Sequence, residues 1–494
     1  MPLAEFVASL PPSSELLSPV RPYVNHSVEL KLPYTTDERT KRLEEAGLNV
    51  FQYPAEMVTG CDMLSDSGTT TMTNRQWAAL HLGDESYGSN RGYFELLRQI
   101  QTTFGEQFAN DPAENRPNAF LFHQGRPTED ALFTVLSGLG SDLTIPSNGH
   151  FDTTEANIEA NHIKPVNLFS KSLHDIKSND TFKGNMDIER LSSLLESSHD
   201  RIPVVYVTVT NNTGGGQPVS LENIRNVASL AHKHEIPFFL DACRFAENAW
   251  FIKQHEAGYA NKSVAEIVRE MFSYADGFTI SFKKDGLVNM GGGLFLRDGG
   301  LFVQRYPQLP DALTNLQILK EGHPTYGGMS GRDIMALAEG LKTVTTEPYL
   351  AHRIGQVQRL GNGMAEIGLP VITPIGGHAV YLDMNRFFEG TGADRLFGGV
   401  SFTALLLAAY GHRAVELGNF AFGKYDPQTG KETLPEVNFV RFAIPRLRYE
   451  ETDLRNVAES AYALYKMRNG IPDVAVTYGR ELTLRHFKAR FAFK

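Results

Sequence analysis

Two adjacent lysines, Lys283 and Lys284, stand in the stretch Ser281-Phe282-Lys283-Lys284-Asp285-Gly286-Leu287-Val288-Asn289-Met290-Gly291-Gly292-Gly293. A lysine on a turn between two buried strands, partly desolvated, has a depressed pKa. It can form a Schiff base with an aldehyde such as pyridoxal 5′-phosphate. Two solvated lysines in a hairpin are the simpler reading of the pair alone, so partners elsewhere decide. Asn118–Phe122 is a short apolar strand running into His123-Gln124-Gly125-Arg126, ahead of a helix pattern. Strand, Gly turn and helix N-terminus aim N–H groups and a dipole at an anion. Phe151, Asn212, Asp241, Arg244 and Ser281 stand at or beyond other apolar runs. Together these groups offer a phosphate cradle, an aromatic cover, an acid for a pyridine nitrogen, donors for a ring oxygen and an amine. A pyridoxal phosphate enzyme needs each kind.

The elements that must hold these groups alternate. Strands are expected over 118–122, 142–146, 204–209, 237–241, 275–280 and 293–297, and helices over 74–82, 93–108, 129–139, 187–197 and 264–274. Ser220 is a plausible N-cap for a helix running to His234, whose Ile224, Val227, Leu230 and Ala231 recur at helical spacing. β-α-β alternation predicts an α/β fold with a mostly parallel sheet covered on both faces. From about residue 340 the pattern changes to long helices (349–366, 403–410, 451–467) with strands at 376–383 and 438–444. The expected division is an N-terminal arm over 1–60 that contributes to a small domain, a large cofactor domain over 61–338, and a small α+β domain over 339–494. An amphipathic segment lies at 37–47.

Composition narrows the partners. A net charge of −10 over 494 residues, with no basic stripe, argues against nucleic acid. No apolar run is long enough to span a membrane. Met1–Pro12 lacks a basic segment, and Pro11-Pro12 interrupts its apolar patch, so no secretory signal is expected. Cys61 and Cys243 are the only cysteines; a reducing, cytoplasmic setting is expected.

The chain resembles the β-eliminating lyases. The resemblance is carried by Gly215-Gly216-Gln217-Pro218-Val219-Ser220, by Arg244-Phe245-Ala246-Glu247-Asn248-Ala249-Trp250, by Lys283-Lys284-Asp285, by Pro324-Thr325-Tyr326-Gly327-Gly328 and by Leu484-Arg485-His486-Phe487. It covers the chain from about Ala46 onward, in order. It implies the aspartate-aminotransferase-like type I fold and β-elimination of an aromatic L-amino acid. Lys284 would hold the cofactor aldehyde. Gln124, Gly125, Arg126, Ser281 and Lys283 would surround the phosphate, and Phe151 would stack on the ring. Asp241 would take the pyridine nitrogen, with Asn212 and Arg244 at the ring oxygen. Arg441 would bind the substrate carboxylate near Ser65 and Ser67, and Tyr87 would give a proton to the leaving carbon. Gly68, Glu85 and Asn289 match the positions of a monovalent cation, potassium in the family. A homotetramer, a dimer of dimers with shared active sites, is implied as well.

Three positions bear on substrate. Leu417 stands where the phenol-forming branch has Arg; Asp152 and His486 resemble the indole-forming branch. Pro127 and Gly214 depart from the family pattern and imply a differently shaped phosphate loop and a looser turn. The alternatives within the fold are an aminotransferase, a β-eliminase of cysteine derivatives, and a catalytically silent homologue. The intact set Lys284, Asp241, Asn212, Arg244 and Arg441 counts against the last.

Overall fold

Short apolar runs bounded by turns become the strands of a mostly parallel sheet: β1 (Ala119–Phe122), β2 (Thr144–Ser147), β3 (Lys164–Asn167), β4 (Val205–Thr208), β5 (Phe238–Asp241), β6 (Gly277–Ser281) and β7 (Gly292–Leu296). Their order is β1-β7-β6-β5-β4-β2-β3. β7 runs antiparallel to both neighbours, while β6, β5, β4, β2 and β3 pair in parallel. Successive side chains of a strand face opposite sides. Phe238 and Leu240 therefore join one core with Phe104, Phe245 and Phe272, while Phe239 and Tyr206 join another with Phe122 and Phe133. Burial on both faces explains why these strands read as continuous apolar runs.

Helices begin where the caps predict. Thr73 and Ser263 close capping boxes with Gln76 and Glu266, and Ser220 accepts from the Asn223 N–H. The helix Gly125–Ser137 starts four residues before the expected 129, because Pro127 lies in its first turn, where no intrahelical N–H is needed. Arg91–Phe104 stops at Gly105, short of the expected 108. Sequence reading did not find the helices Asp152–Ala160, Phe245–His255, Leu309–Glu321 and Gly331–Val344. Phe245–His255 is buried nearly all round and carries no polar stripe to betray its period.

A second sheet has the order β8 (Ala379–Asp383), β12 (Phe439–Ala443), β9 (Val415–Leu417), all antiparallel. Between them in sequence lies a hairpin of β10 (Lys424–Asp426) and β11 (Lys431–Thr433). Helices Glu347–Glu366, Gly398–Tyr410 and Glu451–Lys466 bury Val357, Phe402 and Val457 against Val380, Val440 and Phe442 on one face. The other face carries Tyr381, Val415, Leu417 and Arg441, since Arg441 is opposite both Tyr381 and Val415. Leu43, Val50 and Tyr53 pack with Phe397, Leu407 and Phe420, and with Val474 and Phe491 of the pair β13 (Val474–Tyr478) and β14 (Arg490–Phe493).

This computed structural model describes residues 21–25, 27–110, 117–173, 178–392 and 395–494. Leu32–Lys494 forms one compact unit. Residues 1–20 of the expected arm lie outside the described residues. Among the described residues no helix is long and apolar enough to cross a membrane.

Candidate active site

The C-terminal ends of β1, β2, β4, β5 and β6 converge on one cavity, where open α/β sheets hold their ligands. Those ends bring Gln124, Gly125, Arg126, Phe151, Asp152, Asn212, Asp241, Arg244, Ser281, Lys283 and Lys284 to its wall. Ser65 and Ser67 come from the loop before the first large-sheet helix, and Leu417 and Arg441 from the second sheet. His486, from the Leu484–Phe487 segment, completes the lining.

Register fixes the floor. Asp241 pairs with Thr208 on β4 and Thr279 on β6. Gly292 of β7 packs so tightly on the Gln124–Arg126 turn that a Cβ there would fall 2.2 Å from the Gln124 carbonyl oxygen. Gly68 (φ +71°) donates its N–H to the Lys283 carbonyl at 2.8 Å and accepts from Asn289 Nδ2 at 3.0 Å. The serine loop is thereby docked on the lysine turn.

The charges are unevenly matched. Burial, the neighbouring Lys284 and Arg126 all lower the Lys283 pKa. Glu129, which sequence reading did not single out, also lines the cavity. Burial and the neighbouring Asp241 push its carboxyl up to about 8, so it is neutral near pH 7. Thr154 Oγ1 donates to it at 2.9 Å. Asn212 Oδ1 accepts from Tyr381 Oη at 2.7 Å and lies 3.4 Å from Arg441 Nη1. His378 Nε2 is also 3.0 Å from it. These partners crowd the oxygen and leave the amide Nδ2 to a cavity ligand. Burial holds the His378 pKa well below the usual histidine range.

Arg244 is gripped by Asp66, at 2.7 Å and 3.0 Å. Asp66 in turn meets Arg446, which reaches Glu247 and Asp285. Asp66, Asp285 and Arg446 were missed as well; nothing in their spacing shows that residues far apart in the chain pair.

One end of the cavity is apolar, lined by Phe51, Leu64, Val415, Leu417 and Phe487 with the His486 ring. That ring stands edge-on to Phe51 at 5.7 Å and 4.2 Å from Phe487. Burial, with Arg126 nearby, lowers the His486 pKa to about 4, so the ring is neutral. Its Nε2 lies 3.6 Å from Asp152 Oδ2, beyond hydrogen-bond reach. Burial raises the Asp152 pKa.

Four expected residues stand outside the cavity lining. Gly68 and Asn289 meet beside it. Glu85 pairs with Arg332 on the surface at 3.2 Å. Tyr87 is 75% exposed, with its ring edge-on to His323 and Tyr326.

The lining fits pyridoxal phosphate. Five cations, Arg126, Lys283, Lys284, Arg244 and Arg441, share the lining with four acids, Asp66, Glu129, Asp152 and Asp241. Glu129 is neutral and Asp66 is taken up by Arg244, so the balance suits a phosphate and a carboxylate. Thr208 Oγ1 and Arg441 Nε are buried without a partner among the described residues, as groups meant for a ligand would be.

Comparison with known proteins agrees with this geometry. The family model described as beta-eliminating lyase matches residues 62–460. A tryptophanase of Salinibacter ruber is 41% identical over 95% of this chain and 94% of that protein. A tyrosine phenol-lyase of Symbiobacterium sp. is 38% identical over 95% of this chain and 98% of that protein. Among solved structures, a Leishmania major threonine aldolase superposes with a TM-score of 0.53 at 14% identity, covering 82% of this chain and 99% of that one. A serine palmitoyltransferase of Sphingomonas wittichii gives 0.53 at 13% identity, covering 84% and 88%. The architecture is that of the type I pyridoxal phosphate enzymes, and the chain belongs to the β-eliminating lyase family.

Proposed function

We propose that this chain is a tryptophanase: with pyridoxal phosphate bound, it cleaves L-tryptophan and water to indole, pyruvate and ammonia. The observation that carries the reading is the cavity itself. It joins an amine, an acid and anion-binding groups at one end to an aromatic-sized apolar end closed by Leu417.

Bound pyridoxal phosphate supplies an electron sink for negative charge developing at Cα. The N–H groups of the Gly125 turn, with Gln124, Arg126, Ser281 and Lys283, hold the phosphate. Asp241 would hold the pyridine nitrogen and keep it protonated, and Phe151 would cover the ring. Asn212 Nδ2 and Arg244 would donate to the ring oxygen. Lys284 would hold the aldehyde through Nζ, and the same Nζ is the base that would take the Cα proton. Arg441 binds the substrate carboxylate beside Ser65 and Ser67. The indole ring packs among Phe51, Val415, Leu417, His486 and Phe487, with Asp152 to accept its N–H. Neutral His486 offers a polar ring edge without charge.

Tyr87 is the proton donor to the leaving carbon in this reading. Its exposed place on the Gly83–Gly88 loop is compatible with that loop serving a neighbouring subunit's cavity, within the homotetramer, a dimer of dimers, that the family resemblance implies. Glu85, on the same loop, would join Gly68 and Asn289 around potassium by the same contact. The setting we propose is the cytoplasm.

Tyrosine cleavage to phenol is the competing reading, because relatives bearing both names are similarly close. A buried phenol oxygen beside Leu417 would lack a partner, at a cost of about 1–3 kcal/mol. Supplying tryptophan, tyrosine and S-substituted cysteines separately, and measuring indole, phenol, pyruvate and ammonia, tests the proposal. Faster phenol release from tyrosine than indole release from tryptophan overturns it. A keto-acid requirement would mark an aminotransferase instead.

A further inference from the structure

Asp66 stands between the two cavity serines, but its carboxylate is turned into the protein and is 1% exposed. Oδ1 accepts from Arg244 Nη2 at 2.7 Å. Oδ2 accepts from Arg244 Nε at 3.0 Å and from Arg446 Nη1 at 3.0 Å. Burial would raise this carboxyl's pKa, but Arg244 and its cationic neighbours hold it well below the usual range. Asp66 is therefore a fixed anion.

The contact constrains Arg244 in a specific way. A guanidinium is planar and presents its donors as a rigid fork. With Nε and one Nη2 hydrogen committed to Asp66, its plane is set, and the Nη1 end is left for the cavity that Arg244 lines. The network then continues. Arg446 Nη2 donates to Glu247 at 2.7 Å and to Asp285, the residue after Lys284, at 2.9 Å. Asp285 accepts from the Ala246 N–H at 2.9 Å, at the start of the helix that follows Arg244. Arg353 Nε closes on Glu247 at 3.0 Å. Three carboxylates and three guanidiniums thus tie the Ser65–Ser67 loop, the Lys284 turn and Arg244 together in a fully desolvated cluster.

We propose that Asp66 is the positioning residue of Arg244: it selects the edge of the guanidinium that faces the cofactor's ring oxygen. It also ties that edge to the serine loop, so that substrate seated on Ser65 and Ser67 is felt at the ring. The inference rests on the role proposed above for Arg244.

The test uses full-length protein loaded with pyridoxal phosphate: wild type, Asp66→Asn, Arg244→Gln and the double variant. It reads the pH profile of the bound cofactor's visible absorption and the apparent dissociation constant of pyridoxal phosphate. Asp66→Asn and Arg244→Gln should shift the profile in the same direction. Asp66→Asn should weaken cofactor binding about tenfold, typical of losing the partner of a liganding group. The double variant should go no further than Arg244→Gln alone, since both remove one interaction. Additive shifts, opposite shifts, or an Asp66→Asn protein of lower melting temperature with the wild-type profile would overturn the proposal. If Asp66→Asn does not fold, Asp66→Glu keeps the cluster neutral while displacing the guanidinium, and a wild-type profile there overturns it equally. A wild-type profile in Arg244→Gln would place the error in the Arg244 assignment, and failure of the wild type to bind the cofactor would place it in the proposed function; each overturns the proposal too.

Discussion

Glu129 offers a sharp quantitative test. Its carboxyl is buried on the helix Gly125–Ser137, close enough to Asp241 that two negative charges there would repel. Burial and Asp241 raise its pKa from the ordinary 4.5 to about 8. The sign follows from linkage. Between those two values the unfolded chain has lost this proton while the folded protein keeps it. The stabilisation is complete below pH 4.5 and is lost as pH rises through about 8. At 1.36 kcal/mol for each pH unit, the gap from 4.5 to 8 is worth about 5 kcal/mol at most. Glu129→Gln removes the titration but keeps an oxygen to accept from Thr154. Urea unfolding of the cofactor-free protein, wild type and variant, at steps from about pH 5 to about pH 9 measures the difference directly. The variant should gain on the wild type steadily toward pH 8. Asp285, raised to about 6 by burial and Glu247, titrates in both proteins and cancels. Parallel curves would mean that Glu129 ionises like an exposed glutamate, and the reasoning from burial and Asp241 would fail.

Other outcomes follow from the same geometry. Lys284→Ala should bind pyridoxal phosphate without the visible colour of an imine, while Lys283→Ala keeps the colour and binds more weakly; the reverse pattern would exchange the two roles. His486, with its pKa depressed to about 4, contributes stability that is present above pH 6.5 and lost as pH falls toward 4. His486→Phe should flatten that loss, and activity between about pH 6 and about pH 8 should show no histidine titration that the variant abolishes. Leu417→Arg should raise the phenol-to-indole product ratio, by about tenfold or more if the new guanidinium pairs the phenol oxygen. An unchanged ratio with both amino acids still cleaved would remove Leu417 from specificity.

What the sequence made legible was whatever is local in it. The apolar run 237–241 announced β5 and placed Asp241 at its end. The turn at Gln124–Arg126 announced a strand-to-helix junction because strand, glycine and helix are contiguous. Ser220 announced its helix because a cap acts within one turn. The unread part is what folding assembles across distance. Asp66 and Arg446 lie 380 positions apart, yet share a buried contact. Neither falls in a pattern whose period could report the other. Glu129 looked like one more charge in the first turns of a helix, a place where acids are ordinary. Burial, with Asp241 packed beside it, makes its protonation unusual. The exposed ring of Tyr87 makes the same point from outside. Its position between Ser86 and Gly88 reads as a surface turn, and in the isolated chain it is one. The chemical role proposed for it rests on the proposed contact with a neighbouring subunit. Local sequence therefore supplies the candidate groups, while the electrostatics that tune them belong to the tertiary structure.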